Sequence, residues 1–160
     1  LHLQPVDFEK MSLPLEAWIL FRLLASFCGV FGFSVMFNSP VRLAAVAAGI
    51  GAVANTFRLE LVDLTACPPA AAAFMGALAA GLLASLIKSR VGYPRISVTV
   101  PSIVIMVPGL YLYRGFYNLG MMSLSASASW FASAILIVAA LPLGLIFARI
   151  LTDKTFRYCT

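Results

Sequence analysis

Residues 98–109 read Val98-Thr99-Val100-Pro101-Ser102-Ile103-Val104-Ile105-Met106-Val107-Pro108-Gly109. The run stays apolar on both sides, from Ile96 to Tyr113, and nothing in it alternates with period two. As a helix it is long enough to cross a hydrocarbon core about 30 Å thick, at about 1.5 Å rise per residue. A strand there would leave its edges open in lipid, which cannot satisfy them. Pro108 removes an amide donor and crowds the preceding turn, and Gly109 adds backbone freedom. The segment therefore reads as a transmembrane helix broken or strongly kinked at Pro108-Gly109.

Four more apolar runs flank it, at about 17–37, 41–57, 70–87 and 130–147, each of roughly 17–21 residues and so of spanning length. The whole chain of 160 residues is 62% hydrophobic and only 11% charged, whereas a soluble domain is nearer half apolar and a quarter charged. The expected fold is an all-α membrane protein of about five transmembrane helices, with span four broken at the Pro-Gly pair. Residues 1–16 read as a lead or linker, 17–151 as the membrane domain and 152–160 as a cytoplasmic tail. Asn38-Ser39-Pro40 closes span one and opens span two, with proline at a tolerated helix start.

The formal charge of +5 is spread between the apolar runs, without the aromatic-basic interleaving that stacks bases, so no nucleic-acid partner is expected. With five spans, Arg42, Lys88, Arg90, Arg95, Arg149, Lys154 and Arg157 fall on one side. Lys10, Arg58, Arg114 and Arg22 belong to the other. The excess on the first side predicts an outside N-terminus and a cytoplasmic C-terminus.

Small residues recur every fourth position in span three, as Ala72, Gly76, Ala80, Ala84 and as Ala73, Ala77, Gly81, Ser85, and span two adds Ala45, Gly49 and Ala52. Such stripes let helix backbones approach closely; they fit a sliding interface or plain tight packing. Beyond the break come Tyr111, Tyr113, Arg114, Tyr117 and Asn118. A helix amide end with an arginine and phenols suits a carboxylate ligand, while an interfacial aromatic belt with a snorkelling arginine is the bland reading. Asn55 and Arg58 lie three apart on one face of span two, and Arg22 stands one turn from Trp18, free to snorkel or to rest on the ring.

Enzymatic chemistry finds no support. His2 is the sole histidine, Cys28, Cys67 and Cys159 have no metal or redox spacing, and no carboxylate lies inside any of the five runs as bounded above. No metal site and no cofactor are expected.

Phe33-Ser34-Val35-Met36-Phe37-Asn38-Ser39-Pro40-Val41-Arg42, followed by the small-residue span and then by Val107-Pro108-Gly109, resembles the second membrane domain of the threonine/serine exporter family. The similarity covers roughly residues 29–118 and extends to the small subunit of two-component succinate exporters. It implies a secondary exporter in a bacterial inner membrane, for threonine and serine or for dicarboxylates, driven by the proton gradient. It also implies a partner, either a second five-helix domain of the family or a separate subunit. Five spans put the chain's ends on opposite sides, so a partner of opposite orientation would complete an inverted-topology pair. A subunit that only docks and stabilises another membrane protein, and a channel-like homo-oligomer, are the alternatives. Pro108, Gly109, Tyr111, Tyr113, Arg114, Asn55 and Arg58 are the candidate substrate residues; Asn38, Pro40, Arg42, Gly76 and Ala80 are structural candidates. Membrane lipid is the expected surrounding.

Overall fold

The computed structural model describes residues 14–92 and 94–153, the side chains of 88–91 excepted. Most of the expected N-terminal lead, including Lys10, and the tail from 154, with Lys154 and Arg157, lie outside the described residues, as do the side chains of Lys88 and Arg90. Six helices follow one another: α1 (Leu15–Met36), α2 (Val41–Thr65), α3 (Pro69–Val91), α4 (Arg95–Val104), α5 (Gly109–Gly120) and α6 (Leu124–Thr152). Among the described residues there is no strand. Helices α1, α2, α3 and α6 are each long and apolar enough to cross a membrane. The pair α4 and α5 meets the same test together, bent by 41° at the break, so the expected fold class holds.

Proline punctuates the chain. Pro14, Pro40, Pro68, Pro94 and Pro108 each stand immediately before a helix, where the missing amide costs nothing. Between α1 and α2, Asn38 adopts φ 57°, a left-handed conformation that asparagine tolerates better than most residues. The Asn38 and Ser39 amides donate back to the Val35 and Ser34 carbonyls at 2.9 and 3.1 Å. Asn38 and Pro40 thus form a helix stop and restart, and Arg42 is exposed on the first turn of α2.

Three boundaries differ most from expectation. Helix α2 continues past Phe57 to Thr65, because residues 58–66 contain neither glycine nor proline. Glu60 and Asp63 are therefore helical, and the expectation that no span carries a carboxylate is wrong. Helix α5 runs to Gly120, taking Arg114, Tyr117 and Asn118 inside it. The serines at 125, 127, 129 and 133 belong to α6 itself.

The core is built from alanine and glycine. On α3, Ala72, Ala73, Gly76, Ala77, Ala80, Gly81 and Ala84 are all buried, so both small-residue stripes of that helix pack inward. Helix α3 lies between α2 and α6 and packs most extensively on α6. At that contact a Cβ added to Gly144 would stand 2.5 Å from the Phe74 carbonyl oxygen; only glycine permits the approach. The α2 stripe is corrected in part: Ala52 is buried as expected, but Ala45 is exposed and Gly49 half-buried, and the buried face runs through Ala44, Ala47, Ala48, Gly51 and Ala54. Reading every third or fourth residue from Ala45 started the stripe one residue, about 100°, off the packed face. Large apolar side chains such as Leu20, Phe21 and Leu136 point outward, as expected where lipid is the solvent.

Candidate functional site

The helix that breaks at residues 105–108 was the centre of the sequence reading, and it is also where the polar side chains of the neighbouring helices gather. Pro101, inside α4, gives up one intrahelical bond. The Ser102 hydroxyl next to it lies 2.7 Å from the Val98 carbonyl and 3.0 Å from the Ala47 carbonyl of α2. Gly51 makes room for this contact: a Cβ there would meet the Ser102 carbonyl oxygen at 2.8 Å. Helix α4 is thereby fixed on α2 just before it ends.

The carbonyls at a helix end need partners. After α4, the Met106 amide donates to Ile103 O at 2.9 Å and the Val107 amide to Val104 O at 3.2 Å, a tightened last turn. Gly109 N donates to Val107 O at 2.8 Å as α5 begins. The Met106 carbonyl is met from another helix, by Arg58 Nη1 of α2 at 3.1 Å. Gly76 permits this layer, since a Cβ on it would stand 3.0 Å from Arg58 Cβ and 3.3 Å from the Met106 sulfur.

A cavity of about 350 Å³ opens beside the break, lined by Arg22 of α1, Arg58 and Asp63 of α2, Ile105, the stretch from Val107 to Tyr111, and Ile137 of α6. Pro108 and Gly109 form part of its wall, and the first turn of α5 starts there. Arg22 is held by two carboxylates: Nη1 donates to Glu60 at 2.8 Å and Nη2 pairs with Asp63. Its guanidinium also lies 5.0 Å over the Trp18 ring. Of the two carboxylates, Asp63 lines the cavity. One turn from Arg58, the Asn55 amide donates to Ser26 Oγ at 2.9 Å. Asn55 Oδ1, Thr56 Oγ1 and Arg58 Nε are buried with no hydrogen-bond partner among the described residues.

The structure thus brings Arg58, Pro108, Gly109 and Tyr111 together and holds Asn55 one turn away. Tyr113 and Arg114 are not among the residues lining the cavity. Arg114 lies over the Trp130 ring at 4.9 Å, and Tyr113 is exposed and stacks on Tyr117. Trp130 also meets Tyr111, 5.7 Å between ring centroids, so Arg114 reaches the cavity only through an intervening ring. Gly76 supports the site through backbone proximity, and Ala80 is core. The sequence reading missed Glu60 and Asp63. The signal available was the unbroken helical composition after Phe57, with Glu60 and Asp63 three apart and so on one face. Among the described residues no cluster of histidine, cysteine or carboxylate groups could hold a metal.

Neither a curated protein nor a solved structure matches the chain. The family model for "Threonine/Serine exporter, ThrE" matches residues 22–151, which takes in the Arg22 ion pairs, the broken helix and all of the cavity lining. The described helices form a multi-pass apolar bundle in which one span is broken, and an exporter is a transporter rather than an enzyme. The chain belongs to the threonine/serine exporter family.

Proposed function

We propose that the cavity at the helix break is the substrate site of a secondary exporter for small α-amino acids, threonine and serine among them. The observation that carries this reading is that one cavity beside the start of α5 is lined both by Arg58 and by Asp63, the latter paired with Arg22. An α-amino acid is a zwitterion. Its carboxylate suits Arg58, whose planar fork takes two oxygens, together with the first-turn amides of α5 and the positive end of that helix. Its ammonium suits Asp63. A dicarboxylate would bring a second negative charge toward Asp63, a repulsion of about 1–4 kcal/mol at 4 Å that the neighbouring Arg22 offsets in part.

Buried Asn55 Oδ1 and Arg58 Nε, which lack partners among the described residues, favour a wet or liganded site, since such atoms are rarely left unsatisfied. Proton coupling and a partner domain of opposite orientation complete the reading. Five spans leave the two ends of the chain on opposite faces, and a second five-span unit restores the pseudo-symmetry common in secondary transporters.

The test is efflux from cells preloaded with threonine-, serine- or succinate-releasing precursors, with the partner domain co-expressed. Asp63→Asn is expected to slow threonine and serine efflux while leaving membrane abundance intact. Efflux of succinate but not of either amino acid by the parent protein would overturn the zwitterion assignment.

A further inference from the structure

At the opposite end of the bundle a second and larger cavity, about 530 Å³, lies between the start of α4 and the end of α6. Pro94, Arg95, Ile96 and Thr99 line one side, and Leu145, Ile146, Arg149 and Asp153 the other. None of these residues takes part in the cavity at the break. Both helices pack on α3 rather than substantially on each other, so the groove between them is floored by the bundle and open outward.

It combines charged and apolar side chains. Among the described residues that line it, two guanidinium groups stand against one carboxylate. Arg95 is fixed there: Nη2 donates to the Gly81 carbonyl at 2.7 Å and Nη1 to Thr152 Oγ1 at 2.9 Å, joining α4 to both α3 and α6. Gly81 also lets α6 pack this close to α3, because a Cβ on it would stand 2.5 Å from Ala148 Cβ, whereas Arg95 Nη2 at 3.5 Å would be in ordinary contact. Arg149, four residues before Asp153, is exposed in the same lining. The rest of the lining is largely apolar, with Ile96 beside Arg95 and with Leu145 and Ile146 one turn from Arg149; Ile96 and Ile146 are both exposed.

We infer that this groove binds an anionic phospholipid, its phosphate at Arg95 and Arg149 and one acyl chain along Ile96, Leu145 and Ile146. Charge complementarity selects the headgroup, because the lining has a net positive charge. The apolar lining selects a lipid over a soluble anion, which would gain nothing from Ile96 or Ile146. The level also fits: the ends of spanning helices lie at the headgroups, where a basic residue contributes about 1 kcal/mol toward an anionic surface. The bound lipid would act as a wedge, holding α4 and α6 in their arrangement around α3.

The test is lipid retention by the full chain, purified in detergent and measured by native mass spectrometry and by thermal shift, with phosphatidylglycerol and phosphatidylcholine compared. Phosphatidylglycerol should be retained and should raise the melting temperature, and phosphatidylcholine should do neither. Arg149→Gln should weaken phosphatidylglycerol binding about fivefold, the equivalent of one charge contact. Ile146→Asn should also weaken it, which a purely electrostatic site would not register. Arg42→Gln removes an exposed charge at the same end of the bundle and should leave binding unchanged.

Equal retention of the two lipids would overturn the inference, as would equal loss in Arg42→Gln and Arg149→Gln, which indicates diffuse charge attraction. Competition by millimolar inorganic phosphate as effective as that by the lipid would mean a soluble-anion site instead. None of these results bears on the break cavity, so failure here is distinct from failure of the transport reading.

Discussion

Arg58 Nη1 on α2 donates to the backbone carbonyl of Met106, 3.1 Å away across the helix interface, at the point where α4 stops. A side chain from one span thus completes the hydrogen bonding of another span's interruption. In a continuous helix the Met106 carbonyl would accept from the amide of Leu110; the break ends that ladder, and the Arg58 guanidinium takes the place of the amide. Arg58 also lines the cavity, so the group that steadies the break is the group best placed to meet an anionic ligand. Substrate and Met106 would then share one guanidinium, which links occupancy of the site to the geometry of the break.

Arg58→Lys keeps the charge but replaces a planar fork with a point donor. Initial threonine efflux at matched membrane abundance should fall about tenfold, as expected for a charged hydrogen bond of about 1.5 kcal/mol. Arg58→Gln should fall further. An Arg58→Lys protein exporting at the parental rate would remove Arg58 from the site.

Straightening the break is the next test. Pro108→Ala with Gly109→Ala restores one amide and favours a continuous helix. The double variant should insert and fold, with a melting temperature at or above that of the parent, yet export at a small fraction of the parental rate. Parental efflux would reduce the Pro-Gly pair to a packing kink.

Glycine positions separate by what surrounds them. A Cβ at Gly144 would press on backbone atoms of α3, whereas one at Gly32 meets nothing within 4 Å. Gly144→Ala should destabilise by about 1–3 kcal/mol through overpacking, and Gly32→Ala should be neutral or stabilise by up to about 1 kcal/mol. Gly76→Leu, which would collide with Arg58 and Met106, should prevent folding or assembly in detergent. Chaotrope unfolding in micelles reads all three.

The ion cluster predicts non-additivity. Arg22→Gln strands Glu60 and Asp63 as neighbouring carboxylates, and Glu60→Gln leaves Arg22 with Asp63 alone. The double variant should lose less stability than the sum of the singles, by about 0.5–3 kcal/mol. Strict additivity of the two melting shifts would mean the Arg22–Glu60 pair contributes nothing.

Orientation follows from the arginine and lysine asymmetry. A reporter active only in the cytoplasm should work when fused at the C-terminus, and one active only outside should be silent there. The reverse pattern would overturn the placement of the N-terminus outside.

Apolar run length and proline placement are local properties, and they determined the helical class, the spans and the break at Pro108-Gly109 directly from the sequence. The packed stripes of α3 were legible for the same reason: a helix fixes which of its own residues share a face. The end of α2 was not, because charged residues after Phe57 read as a loop when hydropathy alone is followed, although nothing there stops a helix. The tertiary structure decided which polar groups meet. Arg22 finds Glu60 and Asp63 some forty positions along the chain, and Arg58 finds Met106 across a similar distance. Arg114, four residues from the cavity-lining Leu110, turns instead to Trp130. Such pairings depend on how α1, α4 and α6 rotate about their axes when packed, and in a bundle of small residues that rotation is set by glycine contacts between helices, which no single helix encodes.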